Sequence, residues 1–382
     1  MTAAAPLART RRADAPSVPP RRLAIVGPTA SGKSSVAHAL ARELGDVEIV
    51  SVDSMQVYRG MDIGTAKPTA AQRAGVAYHL LDLVDPAETF TVGEFQQAAR
   101  AVLGEIAARG HRALLVGGTG LYLKAVVDGL ELPGRFPVVR EQLDAELAAV
   151  GPAALHGRLE QLDPVAAARI EPSNGRRVVR ALEVCCGSGR PFSSFGPGID
   201  TYPEVDVDLV GLCRPRPELD RRIAERYVAQ LGAGFLGEVE ALAARPGGLG
   251  ATARQALGYR ELLAHLDGQL SLEEAVEVAG HRTRRFARRQ ERWFRRDPRI
   301  RWQAVDGQAT DGGLVALRAR LPSALRRTMT TSGTMPGADD DARPGEPRPD
   351  DGSGVQPLMR PSAPMPRRRW QSRRASAAVA SP

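Results

Sequence analysis

Gly27-Pro28-Thr29-Ala30-Ser31-Gly32-Lys33-Ser34 fits the spacing GxxxxGK[ST], and what flanks it decides the fold. The apolar run 23–26 precedes it and reads as a buried strand. Residues 34–44 follow with the pattern of a helix. In a strand–turn–helix of this kind, glycines let successive backbone N–H groups curl round phosphate oxygens, and the helix adds its positive end. Gly27, Pro28, Thr29, Ala30, Ser31 and Gly32 are therefore candidates for cradling phosphate. Lys33 is placed to reach the outer phosphate, and the Ser34 hydroxyl is placed to hold Mg2+.

Working outward, short apolar runs keep alternating with helical patterns. Val47–Val52 reads as a second strand, 95–109 as a helix, 113–116 as a strand ending at Gly117-Gly118, and 207–212 as a late strand. Strands this short and this apolar fit a parallel sheet covered by helices on both faces. The expected class is α/β, with a core like that of P-loop NTPases. Residues 134–205 hold helical patterns and Pro/Gly breaks but no buried strand, and are read as a helical insertion. The core then falls into 21–133 and 206–322. Residues 1–20 and 323–382, rich in Pro, Ala, Arg, Gly, Ser and Asp, are expected to form a disordered arm and tail.

Composition narrows the function classes. The chain has 382 residues, net charge +8 and pI about 9.9, which favours a polyanionic partner without proving one. No run of 18 apolar residues suggests a membrane helix, and none near the start suggests a secretory signal. Cys185, Cys186 and Cys213 have neither disulfide nor zinc spacing, which fits a reducing cytoplasm. A monomer is expected. Of 52 basic residues only Lys33, Lys67 and Lys124 are lysines. A compact ammonium group is thus kept at only three places, one inside the phosphate motif and two beside other motifs.

Three more stretches carry candidate chemistry. Asp53 follows the second strand, beside the phosphate loop. A carboxylate there faces the ligand crevice and could orient a nucleophile or take its proton, or it could simply make an Asx turn. Thr119 follows Gly117-Gly118 at another strand end. Its hydroxyl could bond a reacting oxygen, or the segment could be an ordinary flexible turn. Residues 281–301 hold ten arginines against Glu291 and Asp297, a local net of +8. Ser271 and Glu274 make a capping box for a long helix here. Phe286 and Trp293, seven apart, are expected to pack inward. Arg282, Arg285, Arg289, Arg292 and Arg296 form one stripe, which suits a row of phosphates better than a merely solvated face.

Taken together the motifs resemble a family, the tRNA dimethylallyltransferases (tRNA isopentenyltransferases). The resemblance rests on GPTASGKS (27–34), DSMQVYRGMDIGTAKP (53–68), HLLDLVDP (79–86), LLVGGTGLYLKAVVDGL (114–130), DPVAAARIEPSNGRRVVRALEV (163–184), LGYREL (257–262) and TRRFARRQERWFR (283–295). It implies transfer of a five-carbon group from dimethylallyl diphosphate to the exocyclic amine of the adenosine next to the anticodon, with Mg2+ required and diphosphate released. It further implies that Asp53 is the catalytic aspartate, that Asp53, Ser54, Met55 and Gln56 line the flipped adenosine, and that Thr119 stands at the reacting centre. By the same resemblance Arg140, Arg176, Arg177, Val178, Val179 and Arg180 contact tRNA, the insertion holds the anticodon stem-loop, and Arg222 serves the diphosphate. Two departures, Ser34 for the commoner Thr and Arg288 for Lys, keep the hydroxyl and the charge.

Three rivals share parts of this pattern. A small-molecule P-loop kinase would share the loop and Mg2+ but would need neither the basic helix nor the insertion. An isopentenyltransferase acting on free adenine nucleotides would share the donor. An RNA-binding protein with a vestigial loop would not need the intact set Lys33, Ser34, Asp53 and Thr119.

Overall fold

The computed structural model describes residues 22–305. The expected arm and tail, and the stretch 306–322 assigned to the core, lie outside the described residues. Among these, the strands are β1 (Arg22–Val26), β2 (Val47–Val52), β3 (Tyr78–His79), β4 (Arg112–Gly117), β5 (Val207–Cys213) and β6 (Arg301–Ala304). They form one parallel sheet in the order β3-β2-β4-β1-β5-β6.

The helices are α1 (Lys33–Leu44), α2 (Ala70–Gly75), α3 (Val92–Ala108), α4 (Gly120–Val127), α5 (Pro137–Leu162), α6 (Pro164–Ala167), α7 (Gly175–Ser188), α8 (Arg216–Gly232), α9 (Phe235–Ala243), α10 (Tyr259–Leu266) and α11 (Leu272–Phe294). The α/β expectation holds, and 134–205 contains helices and no strand among its residues. Two strands escaped the sequence reading. β3 has only two residues, and β6 alternates polar and apolar as an edge strand does.

The central strands are mostly apolar because both faces of the sheet are covered. One face packs Leu23, Ile25, Val36, Leu40, Ile49 and Leu114 under α1. The other packs Ala24, Val50, Val52, Leu115 and Leu209 under α3, α4 and the helices after β5. The insertion has its own core, in which Leu143, Leu155 and Leu159 of α5 meet Val178, Val179 and Leu182 of α7. Gly151, at φ 80°, and Pro152 break α5 into two helical stretches.

Register places the site. Val26 of β1 and Val52 of β2 both pair with Gly117 of β4, the strand between them. The phosphate loop, Asp53 and the Gly118-Thr119 turn therefore leave the sheet side by side, at the carboxyl ends of three adjacent strands. That edge is where open α/β sheets bind ligands.

α11 begins with the expected capping box, Ser271 with Glu274. Its buried face differs from the expectation. Ala275, Ala279, Gly280, Thr283, Ala287, Gln290 and Phe294 pack inward, and these mostly small residues let the helix approach closely. Phe286 is only half-buried, and Trp293, also half-buried, packs against the core as expected. Each lies under a guanidinium, Arg289 over Phe286 and Arg296 over Trp293. Within the stripe, Arg285, Arg289, Arg292 and Arg296 stay exposed, but Arg282 is pulled in by the buried carboxylate of Glu261.

Candidate active site

The phosphate loop takes a conformation only its sequence allows. Gly27 has φ 140°, and a Cβ there would lie 2.4 Å from the carbonyl oxygen of Leu212 on β5. Gly32 (φ 98°) opens α1 without a side-chain cap, so the N–H groups of the first turn remain directed at the loop. Lys33 is buried and donates to Pro28 O at 2.7 Å. Burial lowers its ammonium pKa to about 8, although Asp53 nearby pulls the other way.

Three guanidiniums from the end of β5 and from α8 reach the outside of this loop. Arg214 Nε donates to Ser31 O (3.1 Å), Arg222 Nε to Ala30 O (3.0 Å) and Arg226 Nη1 to the Thr29 hydroxyl (2.9 Å). Arg222 is thus brought to the loop as expected. Arg214 and Arg226 were missed, though Arg226 sits one turn beyond Arg222 on the same helix. A third missed residue is Gln290 of α11. Its amide accepts from Thr29 N (2.8 Å) and donates to Gly118 O (2.9 Å), tying the phosphate loop to the turn that carries Thr119. The separation of 261 residues hid this contact from sequence reasoning.

The Asp53 carboxylate is half-buried. Burial raises its pKa, against the N–H groups of Met55 and Gln56 and the charges of Lys33 and Arg226. Its Oδ1 accepts from Met55 N at 2.8 Å, so the Asx turn is real and coexists with a position facing Lys33. Thr119 lies against the next residue, its Oγ1 accepting from Ser54 N at 3.1 Å. Gln56 accepts from the Ser51 hydroxyl (2.7 Å) and donates to the carbonyls of Thr65 and Ala66 (3.0 and 3.3 Å). Asp53, Ser54, Gln56, Thr119 and the phosphate loop are one constellation.

The expected RNA-contacting residues of the insertion are not part of that constellation. Arg140 is paired with Asp144, and both it and Arg180 share the buried carboxylate of Glu183. Arg176 and Arg177 are exposed at the start of α7. Val178 and Val179 need correcting. Both are fully buried in the insertion core, so their side chains hold α7 in place and cannot touch a partner.

The remaining lysines explain why Arg did not replace them. Lys67 is buried, and its ammonium donates to Tyr58 O, Asp62 and Asp82 at 2.6, 2.7 and 2.5 Å. Lys124 is buried between Asp128, the carbonyl of Thr201 and the Tyr202 ring. Each ammonium meets acceptors converging on a point, which a planar fork does not match.

The profile of the family described as IPP transferase matches residues 56–297, more than half of the chain, and that described as Isopentenyl transferase matches 21–84. A tRNA dimethylallyltransferase of Kineococcus radiotolerans is 53% identical over 298 residues, 76% of this chain and 93% of that protein. The chain belongs to the tRNA dimethylallyltransferase family. It is therefore a member of a prenyltransferase family of enzymes. The Thermobifida fusca tRNA dimethylallyltransferase is 51% identical over 74% of this chain and 90% of its own length. The solved tRNA isopentenylpyrophosphate transferase of Bacillus halodurans is 38% identical, with TM-score 0.58, over 82% of this chain and 99% of that one. The IPP transferase match takes in the Thr119 turn and the helical insertion, and the Isopentenyl transferase match takes in the phosphate loop and Asp53. Among the described residues no helix is long and apolar enough to cross a membrane.

Proposed function

We propose that this chain transfers the dimethylallyl group of dimethylallyl diphosphate to N6 of the adenosine adjacent to the anticodon in tRNA, releasing diphosphate. What carries the reading is the meeting of three parts at one sheet edge: the Lys33 loop, the Asp53 carboxylate and the Thr119 turn. The loop N–H groups with Lys33 neutralise the leaving diphosphate as its charge grows, aided by Arg222 and Arg226 behind the loop. Two buried donors there, the Ser31 hydroxyl and Arg226 Nε, have no partner within the protein, which suits a polyanionic ligand.

Mg2+ fits the same place. Among the described residues no three His, Cys, Asp or Glu side chains form a metal cage. Mg2+ commonly takes one or two protein oxygens and completes its shell from phosphates and water. Ser34, exposed at the start of α1, would supply the hydroxyl. Bound there, the ion would add positive charge beside the leaving oxygens.

At the acceptor, Asp53 is set to bond the attacking amine and receive its proton. Its pKa, raised by burial against the opposing charges of Lys33 and Arg226, makes it a better base than an ordinary carboxylate. Ser54, Met55 and Gln56 follow it and line the base, which must leave its stack to arrive there. The adenine amine is a weak nucleophile, so placement contributes much of the rate. The exposed arginines of α11 and Arg176 and Arg177 of α7 supply charge for the RNA backbone. The chain is read as a monomer.

The test is a competition. The protein, Mg2+ and labelled dimethylallyl diphosphate are incubated with unmodified tRNA and AMP together. Label in the tRNA supports the reading, label in AMP supports the free-nucleotide rival, and label in neither contradicts both.

A further inference from the structure

The loop 61–67 is held with an unusual density of bonds, and its anchor is a carboxylate from another part of the chain. Glu238 of α9 accepts three successive backbone N–H groups. Its Oε2 takes Asp62 N (2.9 Å) and Ile63 N (2.7 Å), and its Oε1 takes Gly64 N (3.1 Å). The Tyr259 hydroxyl of α10 donates to the same Oε1 at 2.5 Å. Gln230 of α8 completes the grip by donating to the carbonyls of Ile63 (2.6 Å) and Gly64 (3.1 Å). Three helices from the second half of the core thus converge on one short loop from the first half.

The loop lies tight against these helices. A Cβ on Gly64 would fall 2.2 Å from the Phe235 ring and 2.5 Å from that of Tyr259, so only glycine fits. Its far side presents the carbonyls of Thr65 and Ala66, which accept from the Gln56 side-chain amide. The other end of that amide accepts from Ser51. The Gln56 amide is therefore oriented from both sides, and one side is set by the loop that Glu238 clamps.

We propose that Glu238 is a positioning residue for the nucleobase pocket: it fixes the loop 61–67, and through it the orientation of Gln56 beside Asp53. This rests on the reading that Asp53, Ser54, Met55 and Gln56 line the acceptor base. Glu238 touches neither the phosphate loop nor Asp53, so its effect falls on the acceptor and not on the donor. Hydrogen bonds to a charged acceptor are about twice as strong as neutral ones, and a buried donor left unpaired costs more than the bond itself.

The experiment is steady-state kinetics of the full chain with Glu238→Gln, varying tRNA and dimethylallyl diphosphate separately. Glutamine keeps the size, but its NH2 group must face donors whichever way it turns. We expect kcat/KM for tRNA to fall by about ten-fold or more, the factor for losing one charge-assisted bond. The KM for dimethylallyl diphosphate should stay within about two-fold, since the phosphate loop is untouched. Tyr259→Phe, which removes one donor and keeps the ring against Gly64, should give a smaller change in the same direction and covers the case of Glu238→Gln failing to fold. Equal loss for both substrates, or no loss in either variant, overturns the proposal. Wild-type protein assayed alongside keeps this distinct from the functional reading: if wild-type labels no tRNA, that reading fails first.

Discussion

Replacing Asp53 by Asn tests two roles that the structure superimposes on one side chain. Oδ1 of Asp53 accepts from Met55 N at 2.8 Å, and Asn keeps that oxygen. The turn should therefore survive in Asp53→Asn, with a stability change near zero, whereas Asp53→Ala loses the bond and about 1 kcal/mol. What Asn cannot do is take a proton. General-base contributions run to about 10²–10⁴-fold, or about 2.7–5.5 kcal/mol of barrier, and kcat should fall by that factor. The KM for dimethylallyl diphosphate should change little. A further signature follows from the charge pair. Asp53 is what raises the Lys33 pKa against burial, so removing its charge lets Lys33 deprotonate at lower pH. The alkaline limb of kcat/KM should move down in Asp53→Asn. Thermal melting, kcat and the pH profile are measured on both variants. Near-wild-type kcat in Asp53→Asn, with lost stability in Asp53→Ala, would make Asp53 a turn residue only and refute the base assignment.

Lys33→Ala should lower kcat/KM for the diphosphate by about 10²–10³-fold while tRNA affinity by filter binding stays within about two-fold; a parallel fall in tRNA affinity would sink the assignment. In the wild type, the cationic form of Lys33 is the active one and its pKa is about 8. The kcat/KM for the donor should therefore decline as pH rises through about 8, and an acid limb should appear above the ordinary aspartate range because Asp53 is raised. Substituting Arg285 and Arg289 together by Gln should weaken tRNA binding and flatten its dependence on log salt by about one unit for each phosphate no longer neutralised; an unchanged slope would make the stripe a solvated face. Glu48, remote from the site, is held at about 2 against 4.5, chiefly by Arg109 with His79 and His111. Its folded-state pKa is depressed, so its contribution is present above about 4.5 and is lost as pH falls toward 2. Arg109 and His111 are half exposed, which trims the expected cost of Glu48→Gln to about 2 kcal/mol in urea unfolding, with activity preserved.

What could be read from the sequence was what is local. The run before Gly27 and the stretch Val47–Val52 announce central strands because burial on both faces favours a mostly apolar run. The GxxxxGKS spacing and the capping box at Ser271 are complete within a few residues. The parts that stayed hidden depend on residues far apart in the chain. Gln290 reads as one polar residue in an arginine-rich helix until the fold sets it between Thr29 and Gly118. Glu238 reads as a surface acid until three N–H groups point at it. Phe286 and Trp293 are expected inward because their spacing is helical, but the fully buried face of α11 is Ala275, Ala279, Thr283, Ala287, Gln290 and Phe294, with Trp293 half-buried at its edge against the core. Val178 and Val179 show the limit of carrying a stretch over whole, since the two arginines before them face outward while the valines face the core.

The most direct test of the central claim is the identity of the product. Unmodified tRNA is treated with the protein, Mg2+ and dimethylallyl diphosphate, then digested to nucleosides and analysed by mass spectrometry. The account predicts one five-carbon unit on N6 of a single adenosine, the one next to the anticodon. An unmodified adenosine there, or the same unit appearing on free AMP and not on tRNA, would contradict it.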